Sequence, residues 1–156
     1  MKTLVVGVGN PYRSDDAAGL EVARLVARAA QPGVDVLEHD GEPGGLLESW
    51  AGFQAAFVVD AVRSGGPPGK VERFDVTDSP LPDRPARDSS HSLSLGDAVE
   101  LGRVMGRLPE RLVVVGITGA TFAAGGGLTP EVAAATRVVA EEILAEISGE
   151  GSRGCA

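Results

Sequence analysis

Apolar residues in this chain fall in short unbroken runs that alternate with stretches of helical spacing. Residues 3–8 (Thr-Leu-Val-Val-Gly-Val), 34–39, 55–59 and 112–117 each read as a strand. The first, third and fourth are apolar almost throughout, as strands covered on both faces are. Between them, Leu20, Ala23, Val26 and Ala27 recur with helical period, and Leu46, Leu47 and Trp50 line one side of a short helix over 43–50. A third helix follows His91, with Leu95, Ala98, Val99, Leu101, Val104 and Met105 as its apolar members. The last carries Val132, Thr136, Val139, Ile143 and Ile147.

The punctuation agrees with this division. Pro11 ends the first strand, Ser14, Asp15 or Asp16 is placed to cap the first helix, and Pro32-Gly33 stops it. Pro130 sits in the first turn of the last helix. Residues 70–76 alternate imperfectly and predict an edge strand, antiparallel to its predecessor. Residues 77–90 hold Pro80, Pro82 and Pro85 in a loop long enough to suggest a functional role. Strand and helix alternate throughout, so the expected class is α/β, a three-layer α/β/α arrangement. It has one mostly parallel five-stranded twisted sheet with one edge strand antiparallel. Residues 1–148 form a single domain in this reading, and 149–156 a flexible tail.

Composition narrows the core and the partners. Hydrophobic residues make up 43% of 156 positions but aromatics only 4%, so Val, Ala and Leu must fill the interior. The net charge of -8 argues against nucleic acid or an anionic membrane as principal partner. No apolar run reaches membrane-spanning length and the chain opens directly on a strand, so a cytoplasmic protein is expected, as a monomer. The single cysteine, Cys155, excludes an internal disulfide and a Cys-x-x-Cys metal site, and a terminal tail is a poor place for a nucleophile.

Several familiar motifs fail. Gly7-Val8-Gly9 lacks the third glycine of a dinucleotide fingerprint, with Tyr12 in its place and Pro11 disturbing the helix start. There is no phosphate-binding Gly-x-x-x-x-Gly-Lys loop and no Gly-x-Ser-x-Gly elbow. A triad of Ser89 or Ser90, His91 and Asp60 requires neighbouring Ser and His side chains to face each other, which adjacent loop residues rarely do.

What remains are acids and one histidine at strand ends. Asp60 follows five apolar residues, where a carboxylate either caps the next turn or faces a ligand. Asp15 and Asp16 open a helix; one suffices for a cap, and the other is spare. Asp15 is expected to turn back to the Asn10-Pro11 loop and Asp16 to face the cleft. His91 either bonds its loop or acts as a ligand; His39 has no supporting neighbours. Two carboxylates and one imidazole suit a divalent nickel, zinc or ferrous ion, with coordination positions left open.

The pattern resembles the hydrogenase maturation proteases, endopeptidases that trim the large subunit of nickel–iron hydrogenases. The matching pieces are Gly7-x-Gly9-Asn10 with Asp15-Asp16-x-x-Gly19, then Asp40-Gly41, Val58-Val59-Asp60-Ala61 and Ser90-His91-x-Leu93. Val115-Gly116 and Gly127-Leu128-Thr129-Pro130 complete them, in family order. The resemblance implies that Asp16, Asp60 and His91 are the metal-binding positions. It implies that Asp16 and Asp40 serve catalysis, Asp40 as a supporting residue or general base. It also implies removal of a C-terminal extension from the large-subunit precursor, with nickel supplied by that substrate and no organic cofactor. Glu42-Pro43-Gly44-Gly45 departs from many relatives in the loop after Asp40-Gly41. Two other readings stand beside it: a nickel-sensing or chaperone module that shares the same ligands and does not cut, and a zinc amidohydrolase or aminopeptidase on a similar α/β frame.

Overall fold

In the computed structural model the described residues are 2–29, 31–77, 79 and 90–154; for 90–94 and 150–154 the description is of the backbone alone. Five strands, β1 (Thr3–Val8), β2 (Val34–His39), β3 (Ala55–Val62), β4 (Val71–Asp75) and β5 (Arg111–Thr118), form one sheet in the order β2-β1-β3-β5-β4. All neighbours are parallel except β4, which runs antiparallel to β5. The edge strand was expected beside its predecessor β3. Instead β5 lies between them, because the 63–70 loop carries the chain across the carboxyl end of the sheet and leaves a slot that β5 fills. Parallel pairing with β3 through Val62↔Thr118 holds β5 in that slot.

Helices α1 (Ala18–Arg28) and α4 (Pro130–Gly154) cover one face, and α2 (Pro43–Trp50) and α3 (Ser90–Val104) the other. The strands supply both cores by alternation: Phe57, Val59 and Ala61 point to α1 and α4, while Ala56 and Val58 point to α2 and α3. Full burial of side chains such as Phe57 and Ile143 contributes roughly 1.5–3 kcal/mol each, so a core poor in aromatics suffices. The buried indole of Trp50 donates to the Arg107 carbonyl at 3.0 Å.

Three helices differ from expectation. A 3-10 turn, Ser14–Ala17, precedes α1, and neither Asp15 nor Asp16 caps the helix. On α3, Leu95, Ala98, Val99 and Gly102 face the core, whereas Leu101 and Val104, and Met105 just past the helix end, are exposed. Gly102 belongs to that stripe: a Cβ there would lie 2.8 Å from Leu108 Cδ2 and 2.9 Å from Leu47 Cδ2, so those side chains would have to shift to admit one. Finally, α4 continues as helix past residue 149, where a tail was expected to begin.

Two features fix the layers. Glu146 on α4 bonds Arg73 of β4 at 2.6 Å and also pairs with Arg111 of β5, pinning the helix to the antiparallel edge. At the other end of the sheet α1 lies directly on backbone. A Cβ on Gly19 would sit 2.2 Å from the Val59 carbonyl oxygen and 2.6 Å from that of Val8, and one on Gly7 would sit 2.2 Å from the Gly19 carbonyl oxygen.

Gly19→Ala therefore forces helix and sheet apart and is expected to cost about 3 kcal/mol in urea denaturation. Gly52→Ala, at an open turn position with φ 82°, should cost about 1 kcal/mol; equal losses would contradict the close-approach account. Burial raises the pKa of Glu146, but the two arginines more than offset this and hold it below its ordinary 4.5. A lowered folded-state pKa adds stability above the unfolded value and loses it as pH falls through the folded value. Glu146→Gln should thus cost about 1 kcal/mol at pH 7 and progressively less below about pH 4, read from paired denaturation curves.

Candidate active site

The glycine contacts determine where the acids go. A Cβ on Gly9, just past β1, would meet the Asp16 carbonyl oxygen at 2.1 Å, so the Asp16 backbone rests on the end of β1. Gly19 rests on Val59, the residue before Asp60. The 3-10 turn accordingly packs against β3. Asp16 is 7% exposed and Asp60 2% exposed, at the carboxyl ends of neighbouring strands. Asp60 continues the Ala56–Val58 series and so belongs to the face that α3 covers. The Asn10 N–H donates to Asp16 Oδ2 at 3.1 Å, which anchors one carboxylate oxygen from the Gly9-Asn10 turn.

Asp15 has a different task. Its carboxylate accepts from the N–H groups of Ala120 (2.8 Å), Thr121 (3.2 Å) and Thr129 (2.7 Å) and from the Thr129 hydroxyl (2.9 Å). Next to it, Ser14 adopts φ 48° and donates to the Ala123 carbonyl at 2.8 Å. The expected turn of Asp15 toward Asn10-Pro11 is thus corrected: Asp16 meets Asn10, and Asp15 latches the 119–128 segment. A fully buried carboxylate is tolerable only with such complete hydrogen bonding. The latch joins residues more than a hundred positions apart, and no local pattern announces it.

The remaining candidates occupy other positions. His91 lies in the first turn of α3, which packs on β3; its side chain, like residues 80–89 of the long loop and Cys155, lies outside the described residues. Among the described residues no group of three or more His, Cys, Asp or Glu side chains is arranged to hold a metal ion. Asp40 follows β2, beyond β1 from Asp60. Its side chain is 84% exposed and accepts the Glu42 N–H at 3.0 Å. His39 accepts the Gly41 N–H on Nδ1 at 2.8 Å, the role of a turn-holding histidine. Glu42, which sequence reasoning left unassigned, caps α2 by accepting from Gly44 and Gly45 at 2.8 and 2.7 Å.

The end of the sheet that gathers Asp15, Asp16 and Asp60 can now be set beside known proteins. The family described as hydrogenase maturation protease matches residues 20–146, a span that includes Asp40, Asp60 and His91. The Hydrogenase 2 maturation protease of Escherichia coli (strain K12) is 31% identical over 155 residues, covering 97% of this chain and 93% of that protein. The structure of the hydrogenase maturating endopeptidase HybD from E. coli aligns with TM-score 0.81 at 26% identity, over 97% of this chain and 94% of that one. A NiFe hydrogenase maturation protease HybD from Thermococcus kodakarensis gives TM-score 0.75 at 25% identity, over 94% and 99%. The chain belongs to the hydrogenase maturation protease family. It is therefore a peptide hydrolase, which sets aside the non-cutting module. Among the described residues no helix is long and apolar enough to cross a membrane.

Asp15→Asn keeps the shape but replaces one accepting oxygen by a donor that faces N–H groups. It should destabilise the fold by about 2–4 kcal/mol and increase hydrogen exchange at Ala120, Thr121 and Thr129. Unchanged exchange at those three amides would remove the latch.

Proposed function

We propose that this protein trims the C-terminal extension from the large-subunit precursor of a nickel–iron hydrogenase once nickel has been inserted. Asp16, Asp60 and His91 engage nickel carried by the substrate, so the metal is part of what is recognised. The observation that carries this reading is the pair of buried carboxylates, Asp16 and Asp60, on adjoining strand ends within the frame of this protease family. Oxygen donors with one imidazole suit a borderline divalent ion, and three protein ligands leave room for the precursor's own.

Engagement of the nickel sets the register of the scissile peptide bond against the cleft, and a water adds to its carbonyl carbon. Asp16 and Asp60 are committed to nickel and Asp15 to its latch. Asp40, an exposed carboxylate of the β2–α2 turn at the same end of the sheet, accepts the proton of the attacking water. The C–N bond then breaks as Asp40 returns that proton to the leaving amine, giving a new carboxylate end and a free amine. A cytoplasmic setting and a monomeric enzyme complete the proposal.

His91→Ala and Asp60→Asn should each lower trimming of nickel-loaded precursor by at least about a hundredfold, followed by mass spectrometry of the large subunit. Nickel-free precursor should remain untrimmed by the wild-type protein. Normal trimming by either variant would refute the ligand assignment, and efficient cutting without nickel would refute recognition through the metal.

A further inference from the structure

The loops on the β3–β5 side of the cleft have a charge opposite to that of the molecule. Residues 10–13, 63–70 and 119–128 carry Arg13, Arg63 and Lys70 and no acidic residue, in a chain of net charge -8. These loops are joined into one rim. Gly125 N–H donates to the Tyr12 carbonyl at 2.9 Å, Gly69 N–H to the Thr118 carbonyl at 2.8 Å and Gly119 N–H to the Val62 carbonyl at 3.0 Å. The Ser64 and Thr118 hydroxyls bond at 2.8 Å. Across the cleft, the β2–α2 turn presents Asp40 and Glu42 instead. The rim is therefore polarised along the direction in which the strands are ordered.

Arg63 is the organised member. Its guanidinium lies over the Phe122 ring at 4.4 Å, and that ring packs on Gly119, where a Cβ would lie 2.8 Å from Phe122 Cζ. A stacked guanidinium loses rotamer freedom in advance and keeps its in-plane N–H groups for a planar acceptor. Arg63 follows Asp60 by three residues, about 10 Å of extended chain. Arg13, which is exposed, immediately precedes the turn that carries Asp16. Among the described residues neither arginine has a carboxylate partner. Lys70 is more peripheral, with Glu131 in the first turn of α4 beside its loop.

We propose that Arg13 and Arg63 form a recognition rim for a carboxylate-bearing segment of the precursor polypeptide, adjoining the bond to be cut. The inference rests on the carboxyl end of β1 and β3 being the cleft in which the precursor is held. Carboxylates of an Asp- or Glu-bearing segment accept from the two guanidinium groups, while the acidic β2–α2 turn repels the same segment. Together these fix the direction in which the chain lies across the cleft.

The test uses short fluorescein-labelled peptides bearing a run of glutamates, with glutamine and lysine counterparts, and reads binding by anisotropy. Salt of about 0.1 M screens fields beyond about 10 Å, so the -8 net charge does not dominate. Wild-type protein should bind the glutamate peptide about fivefold more tightly than the glutamine peptide. The double variant Arg13→Gln/Arg63→Gln should lose that preference, and Arg28→Gln/Arg137→Gln, away from the rim, should keep it. Asp60→Asn should keep the preference while failing to trim precursor, so rim and cleft are tested separately. Equal binding of glutamate and glutamine peptides, tighter binding of the lysine peptide, or equal loss in the distal double variant would each overturn the proposal.

Discussion

The contact of α1 with bare backbone at the ends of β1 and β3 is the constraint on which the site depends. Helices usually stand off a sheet by the thickness of their side chains, about 10 Å between layers. Here Gly7, Gly9 and Gly19 remove that spacer at one end, and the 3-10 turn descends onto the strand ends. The Asp16 backbone is thereby seated on the end of β1, in a turn that packs against β3, the strand of Asp60. The Asp15 latch then prevents the turn from lifting away, since its carboxylate holds three N–H groups and a hydroxyl of the 119–129 region. Asp15 serves the scaffold, and Asp16, which accepts from the Asn10 N–H, is the acid proposed to face the cleft.

This division of labour explains how much was readable in the chain. Apolar runs such as 55–59 and 112–117 declare buried parallel strands because both faces of the sheet are covered, and α/β alternation follows. Asp60 was conspicuous for the same reason, a carboxylate closing an apolar run. The destination of Asp15 was not readable, because its partners lie more than a hundred residues away. Leu101, Val104 and Met105 suggest a buried face that α3 does not use, since Gly102, with no side chain, gives no hydrophobic signal yet marks the contact with α2. The pairing of β4 with β5 depends on a slot that only the finished sheet defines.

Stabilising contacts lie at both ends of the sheet, including the end that carries the proposed site. Glu146 with Arg73 and Arg111 secures the antiparallel edge. Asp16 and Asp60 lie at the carboxyl ends of β1 and β3, where the proposed substrate would be held and the neighbouring loops would set its approach. The proposed attack by a water guided by the substrate's nickel rests on these oxygen donors, since the Ser14 and Ser64 hydroxyls nearby are bonded within their loops.

The central claim is that Asp16, Asp60 and His91 converge on one transition ion. Anomalous diffraction from crystals of this protein soaked in nickel measures it most directly. The account predicts one dominant peak within coordination distance of both carboxylates and the imidazole, about 2.0–2.2 Å as for comparable N/O-ligated divalent ions. A peak elsewhere, or none at these three side chains, would contradict it.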